Sequence, residues 1–231
     1  MTAHLRASLL AACLSALASA AAAAPPDTMA QRMQACVACH GQEGRATNAG
    51  YFPRIAGKPA AYLYNQLVNF RDGKRKNATM AYLLDQMSDA YLREIADHFA
   101  ALDLPYPPPQ APNAPAAALA RGEQLVRSGD AARGIPACSQ CHGAAMTGVA
   151  PAMPGLLGLP RDYVLAQFGA WRTGERRAAE PDCMAQVARS MSPEDVTAAA
   201  TWLAAQPVPS NAKPASTLPA KLPLECGSGT R

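Results

Sequence analysis

The chain has 231 residues, of which 49% are hydrophobic and only 6% aromatic, and its 21 Lys and Arg stand against 17 Asp and Glu for a formal net charge of +4. Residues 25–104 hold 9 basic and 8 acidic side chains and residues 116–206 hold 8 of each, so neither segment carries the basic field that nucleic-acid binding demands.

In chain order, residues 1–24 read as a secretory signal. Arg6 precedes a small, apolar run, and A-x-A sites stand ahead of Pro25. The run is too alanine-rich and too short for a membrane anchor. Export to the periplasm is expected, which suits a chain with seven cysteines. A freely diffusing product and one associated with a membrane without spanning it both stay open.

A helix is expected near Asp27–Cys36, with Asp27 as its N-cap. It runs into "ACVACHG" at residues 35–41, and "ACSQCHG" repeats the phrase at 137–143. Cysteines at i and i+3 on a helical turn face one side, and a histidine at i+4 follows them there. C-x-x-C-H is the pattern of c-type haem attachment, with two thioether bonds and a proximal histidine on the iron. Zinc would need four ligands at each copy, and no second cysteine or histidine pair lies near either. A redox C-x-x-C would sit in an alternating strand–helix context, which is absent. Two covalently bound haem c groups are therefore expected, on Cys36, Cys39 and His40 and on Cys138, Cys141 and His142.

The stretch "PYPPPQAPNAPA" at 105–116, with six prolines and no charge, reads as a semi-rigid spacer. On either side the chain repeats itself. Pro53, Gly57, Tyr62, Gln66, Phe70, Gly73 and Arg75 meet Pro154, Gly158, Tyr163, Gln167, Trp171, Gly174 and Arg176 at a constant offset of 101. The expected organisation is a signal (1–24), a first domain (25–104), the linker (105–116), a second domain (117–206) and an irregular tail (207–231). Each domain reads as helix, attachment turn, loop, helix, loop, helix. The middle helices start after Gly57 and Gly158, and the last ones at the N-caps Ser88 and Ser192. No convincing strand is expected, so the class is all-α. Segments this small, poor in aromatics, have thin cores unless a buried porphyrin fills them.

The sixth iron ligand is found by counting. Of four histidines, His4 lies in the signal and His40 and His142 are assigned, leaving His98 in a helix. Methionine offers two pairs at an offset of 104, Met80 with Met184 and Met87 with Met191. Met87 and Met191 precede the Ser N-caps and suit hydrophobic staples onto Leu92 and Val196. Met80 and Met184, in polar segments expected to be irregular, are the expected ligands. Thioether ligation favours ferrous iron, and a filled sixth position suits a carrier rather than an enzyme.

These motifs, with "FPRIAGKPAAYLYNQLVNFRDGKRKNATM" and "MSDAYLREIADHFAAL" and their weaker second copies, resemble the cytochrome c4 family over residues 27–206. The resemblance implies two class I cytochrome c domains related by a pseudo-twofold axis. It implies electron transfer from a quinol-oxidising complex or a dehydrogenase to a terminal acceptor such as a haem–copper oxidase. It also implies that Pro53 and Pro154 present carbonyls to the proximal histidines, that Tyr62 and Tyr163 line the haem pockets, and that Arg75 and Arg176 lie near propionates, although a solvated run is an equal reading of "RDGKRK".

Two features depart from that pattern. The Pro- and Ala-rich tail after Gln206 has no periodicity. Cys183, directly before Met184, is left over with Cys226. The pair reads either as a disulfide pinning the tail or as a free Cys183 thiolate on or near the second iron. The second reading would make the chain a subunit or dihaem enzyme of thiosulfate or sulfide oxidation.

Overall fold

The computed structural model describes residues 27–46, 50–218 and 220–229; the secretory signal expected at 1–24 lies outside them. Ten α-helices stand among the described residues: α1 (Met29–Arg32), α2 (Gln34–His40), α3 (Ala60–Arg71), α4 (Ala78–Leu84), α5 (Asp89–Ala101), α6 (Ala116–Arg127), α7 (Cys138–His142), α8 (Arg161–Thr173), α9 (Cys183–Ser190) and α10 (Pro193–Ala204). The only sheet among those residues is a two-residue antiparallel pair, β1 (Gly148–Val149) with β2 (Met153–Pro154), in register Gly148–Pro154 and Val149–Met153.

The described residues up to Arg32 belong to a unit of their own. There Thr28, not Asp27, takes the capping role: its Oγ1 accepts from the Gln31 amide, while Asp27 pairs with Arg32. Residues from Met33 onward form the second unit.

Within that unit the repeat is visible as packing. In its first half α3 lies against α4 and α5, and in its second half α8 packs on α9 and α10, while α6 crosses α10. The last helices begin where their caps dictate. Ser88 Oγ accepts from the Tyr91 amide and Ser192 Oγ from that of Asp195. The 3.6-residue stripe of α5 buries Leu92, Ile95 and Phe99, and that of α10 buries Val196, Ala199 and Leu203. Met191 joins Val196 in one core cluster with Leu125, Trp202 and Leu203, in keeping with the staple expected of it. Burying a side chain such as Leu92 or Leu125, both 0% exposed, stabilises the fold by about 2 kcal/mol. Gly122 permits the α6–α10 crossing, since a Cβ there would stand 2.3 Å from the Ala198 carbonyl oxygen.

One further expectation needs correction. The segments around Met80 and Met184 are short helices, α4 and α9, rather than irregular chain. Asn77 accepts from the Met80 amide and Asp182 from that of Ala185, and these caps supply the nucleus that so short a helix lacks. The proline-rich stretch is tied to its neighbours. Arg54 donates to the carbonyls of Leu104 and Pro105 and stacks 3.9 Å from the Tyr106 ring, and Gln110 bonds both the Ala204 carbonyl and the Arg161 amide. The tail is tied down as well: Ala215 makes a parallel bridge to Val149, and Cys226 forms a disulfide with Cys183.

Candidate functional site

Helix α2 carries Cys36, Cys39 and His40, and α7 carries Cys138, Cys141 and His142. None of these four cysteines is in a disulfide. Burial pushes the thiols of Cys36 and Cys141 up and that of Cys138 up to about 12.

The histidine rings are held by backbone. His40 Nδ1 lies 2.9 Å from the Pro53 carbonyl oxygen and His142 Nδ1 lies 2.7 Å from that of Pro154. A carbonyl can only accept, so each Nδ1 is the donor and each Nε2 keeps a lone pair. Burial depresses both imidazole pKa values against the opposing pull of those carbonyls, and the charges of Arg75 on His40 and of Lys58 on His142 add to it. The rings are therefore neutral, the state a metal needs. The repeat accounts for the two prolines: Phe52-Pro53 and Met153-Pro154 place the same carbonyl before each ring, the second on strand β2.

Met80 sits in the first turn of α4 and Met184 in the first turn of α9, each half-buried. Met191, by contrast, is 2% exposed in the core, with no freedom to reach a metal. His98 is half-buried on α5 with its ring 5.1 Å from that of Phe99.

The residues at offset 101 meet one another. Arg75 and Arg176 form an antiparallel bridge, flanked by bonds from the Lys76 amide to the Glu175 carbonyl and from the Arg177 amide to the Lys74 carbonyl. Their side chains cross the seam. Arg75 donates to Gln66 Oε1, to the Tyr163 hydroxyl and to Gln167 Oε1, and Arg176 donates to Gln167 Oε1, to Gln66 Oε1 and to the Tyr62 hydroxyl. Arg75 also lies 4.4 Å from the Phe70 ring centroid and Arg176 lies 3.9 Å from that of Trp171. Both guanidiniums are buried, and among the described residues neither bonds a carboxylate. Burial first, then the neighbouring charge of Arg75, lowers the pKa of Arg176. The solvated reading of "RDGKRK" is thus wrong for Arg75. The pattern showed Gln66 and Gln167 as repeat identities without revealing that they bridge the halves.

A haem fits these groups. The paired thiols would supply its covalent attachment and the bare Nε2 a donor for its iron. Two buried cations without a carboxylate, and a buried Trp171 Nε1 hydrogen with no partner among the described residues, suit the propionates of such a group. In the sequence Trp171 reads as the counterpart of Phe70 on a helix face, which leaves the part played by its indole N–H unseen.

The disulfide removes one alternative. With Sγ bonded to Cys226, Cys183 is no thiolate and cannot occupy an iron position.

No protein-family model matches the chain. A thiosulfate dehydrogenase electron acceptor of Thiomonas intermedia is 40% identical over 187 residues, 81% of this chain and 83% of that one. A cytochrome c4 of Pseudomonas aeruginosa is 35% identical over 170 residues, 73% of this chain and 82% of that one. Among solved structures, reduced cytochrome c4 from Pseudomonas stutzeri superposes with a TM-score of 0.65 at 29% identity, over 76% of this chain and 95% of that one. A thiosulfate dehydrogenase from Marichromatium purpuratum gives 0.67 at 32% identity over 75% of this chain; the match spans only 36% of that longer chain.

Proposed function

The chain belongs to the cytochrome c4 family of dihaem c-type electron carriers, and on that premise we propose that it is the periplasmic acceptor of electrons from a thiosulfate-oxidising dehydrogenase, passing them to a terminal acceptor such as a haem–copper oxidase. The observation that carries the donor is the 40% identity, over 83% of its length, to a protein named for that role. A quinol-oxidising complex was the other donor expected, and no relative reported above is named for it.

We assign one domain to residues 25–104 and the other to 117–206, each with its own site. Cys36 and Cys39 would hold one porphyrin and Cys138 and Cys141 the other, with His40 and Met80, and His142 and Met184, as the axial pairs. When bound, the haems supply one-electron exchange. The chain's residues set its terms. The carbonyls of Pro53 and Pro154 fix the tautomer and plane of each imidazole. The thioethers of Met80 and Met184 would hold the iron from the side away from the histidines and so leave no place for an oxidant. Arg75 and Arg176 neutralise propionate charge at the seam, where Tyr62, Tyr163 and Trp171 also lie. None of these groups is placed for acid–base chemistry on a substrate, which fits a carrier.

The test is reduction of the purified holoprotein, followed at its visible haem bands. Thiosulfate with a catalytic amount of thiosulfate dehydrogenase should reduce both haems, and thiosulfate alone should reduce neither. Full reduction by thiosulfate alone would make the chain an enzyme. No reduction in either mixture would reject the donor.

A further inference from the structure

The tail is fastened at two places on the second half of the molecule. At residues 213–215 it lies along the β1–β2 hairpin: the Ala150 amide donates to the Ala215 carbonyl, the Ala215 amide to the Gly148 carbonyl, and Thr147 Oγ1 to the Lys213 carbonyl. At residues 226–229 it lies along the chain leading into α9. The Gly227 amide donates to the Pro181 carbonyl, the Ala179 amide donates to Ser228 Oγ, and Cys226 is bonded to Cys183. Gly227 fits so closely that a Cβ would stand 2.2 Å from the Glu180 carbonyl oxygen. Gly229 then returns to the hairpin, where a Cβ would meet the Met153 methyl at 2.8 Å.

These contacts fall on particular residues. Met153 directly precedes Pro154, whose carbonyl holds His142, and Cys183 directly precedes Met184. The tail thus ties the segment presenting the histidine to the segment presenting the methionine. Among the described residues the first half has no such tie. The counterpart of Met153 is Phe52, 49% exposed where Met153 is 8%, and the counterpart of Cys183 is Thr79, also exposed.

We propose that the C-terminal tail is a disulfide-closed strap that positions Met184, making the second haem's sixth ligand harder to displace than the first's. The proposal rests on Met80 and Met184 being the axial ligands. A free α9 can swing out by local unfolding from its Asp182 cap. With the strap, that motion must also break the tail's backbone bonds or strain a closed covalent loop. Cys183 and Cys226 act here as positioning residues.

The experiment is an imidazole titration of the ferric holoprotein, read at the far-red methionine-to-iron band. The Met80→Ala protein reports Met184 alone, and the Met184→Ala protein reports Met80 alone. The midpoint should be about tenfold higher for the first than for the second. Adding Cys183→Thr and Cys226→Ser to the Met80→Ala protein, which restores the residue type of the first half at 183, should bring its midpoint down to that of Met80. If that variant fails to mature, the two single-methionine proteins still decide, since equal midpoints overturn the strap. A band left intact by Met184→Ala rejects the ligand assignment and the proposal with it. A band halved by Met184→Ala, with a midpoint unmoved by the cysteine changes, rejects the strap alone.

Discussion

Lys58 is a costly group to bury. It is 3% exposed and comes from the first half of the repeat, yet its Nζ donates to the Gly155 carbonyl in the second, 2.9 Å away. Burial, helped by the charge of Arg54, lowers its pKa from 10.5 to about 7. Between these values the unfolded chain holds a proton that the folded chain lacks, so stability rises with pH across that window. Below pH 7 the charged lysine costs the fold about 4–5 kcal/mol, and the cost fades by about 1.4 kcal/mol per pH unit toward pH 10.5. Lys58→Met removes that cost but leaves the Gly155 oxygen without its donor, a loss of about 1–3 kcal/mol. The variant should therefore be more stable than the parent at pH 6, by about 1–4 kcal/mol, and about equal to it near pH 9. Chemical denaturation of the holoproteins at pH 6, 7.5 and 9, followed by circular dichroism, measures the difference. A gap between the two that does not change with pH would refute the reasoning.

Three further outcomes can be checked in the same way. Burial works against the Asp195 carboxylate, but Arg121, Arg133 and its own cap hold its pKa down to about 2, so its stabilisation is present above the normal carboxylate range and is lost as pH falls through 2. Asp195→Asn should cost about 2 kcal/mol at pH 7, with the gap to the parent closing between pH 4 and pH 2. Gly122→Ala should lower the melting temperature by several degrees or more, because its methyl meets the backbone of α10 rather than a side chain that can turn aside. Arg75→Leu leaves Gln66, Tyr163 and Gln167 short of a donor at the seam and should cost about 3 kcal/mol or more, whereas the exposed Arg127→Leu should cost under about 0.5 kcal/mol.

What could be read without coordinates was whatever is local or periodic. C-x-x-C-H is a local chemical pattern, Ser88 and Ser192 are local caps, and the offset of 101 makes duplication countable. The all-α class followed from these, and the hairpin of two-residue strands was too short to register as alternation. Helices α4 and α9 were missed because each is short and follows a polar run, so that only the Asn77 and Asp182 caps betray it. The rest depended on partners far along the chain. Nothing around Lys58 marks it as buried, since its acceptor lies 97 residues away. Gly122 looks like a tolerated helix glycine until α10 crosses it. The tail has no periodicity, and its register is set by one bridge and one disulfide, neither of which leaves a pattern. Two leftover cysteines announced a choice, and only geometry made it.

The bridge between Arg75 and Arg176 has an evolutionary corollary. Contacts in which each residue meets its own repeat-mate are isologous, the kind that two identical subunits make about a dyad. Fusing such subunits frees each copy to change without forcing the same change on its twin. Phe70 and Trp171 already differ at matching positions beside the two arginines, and only the second brings an indole N–H. A homodimeric ancestor would have been bound to two equal redox centres, whereas a tandem chain can tune them apart and give electron flow a direction.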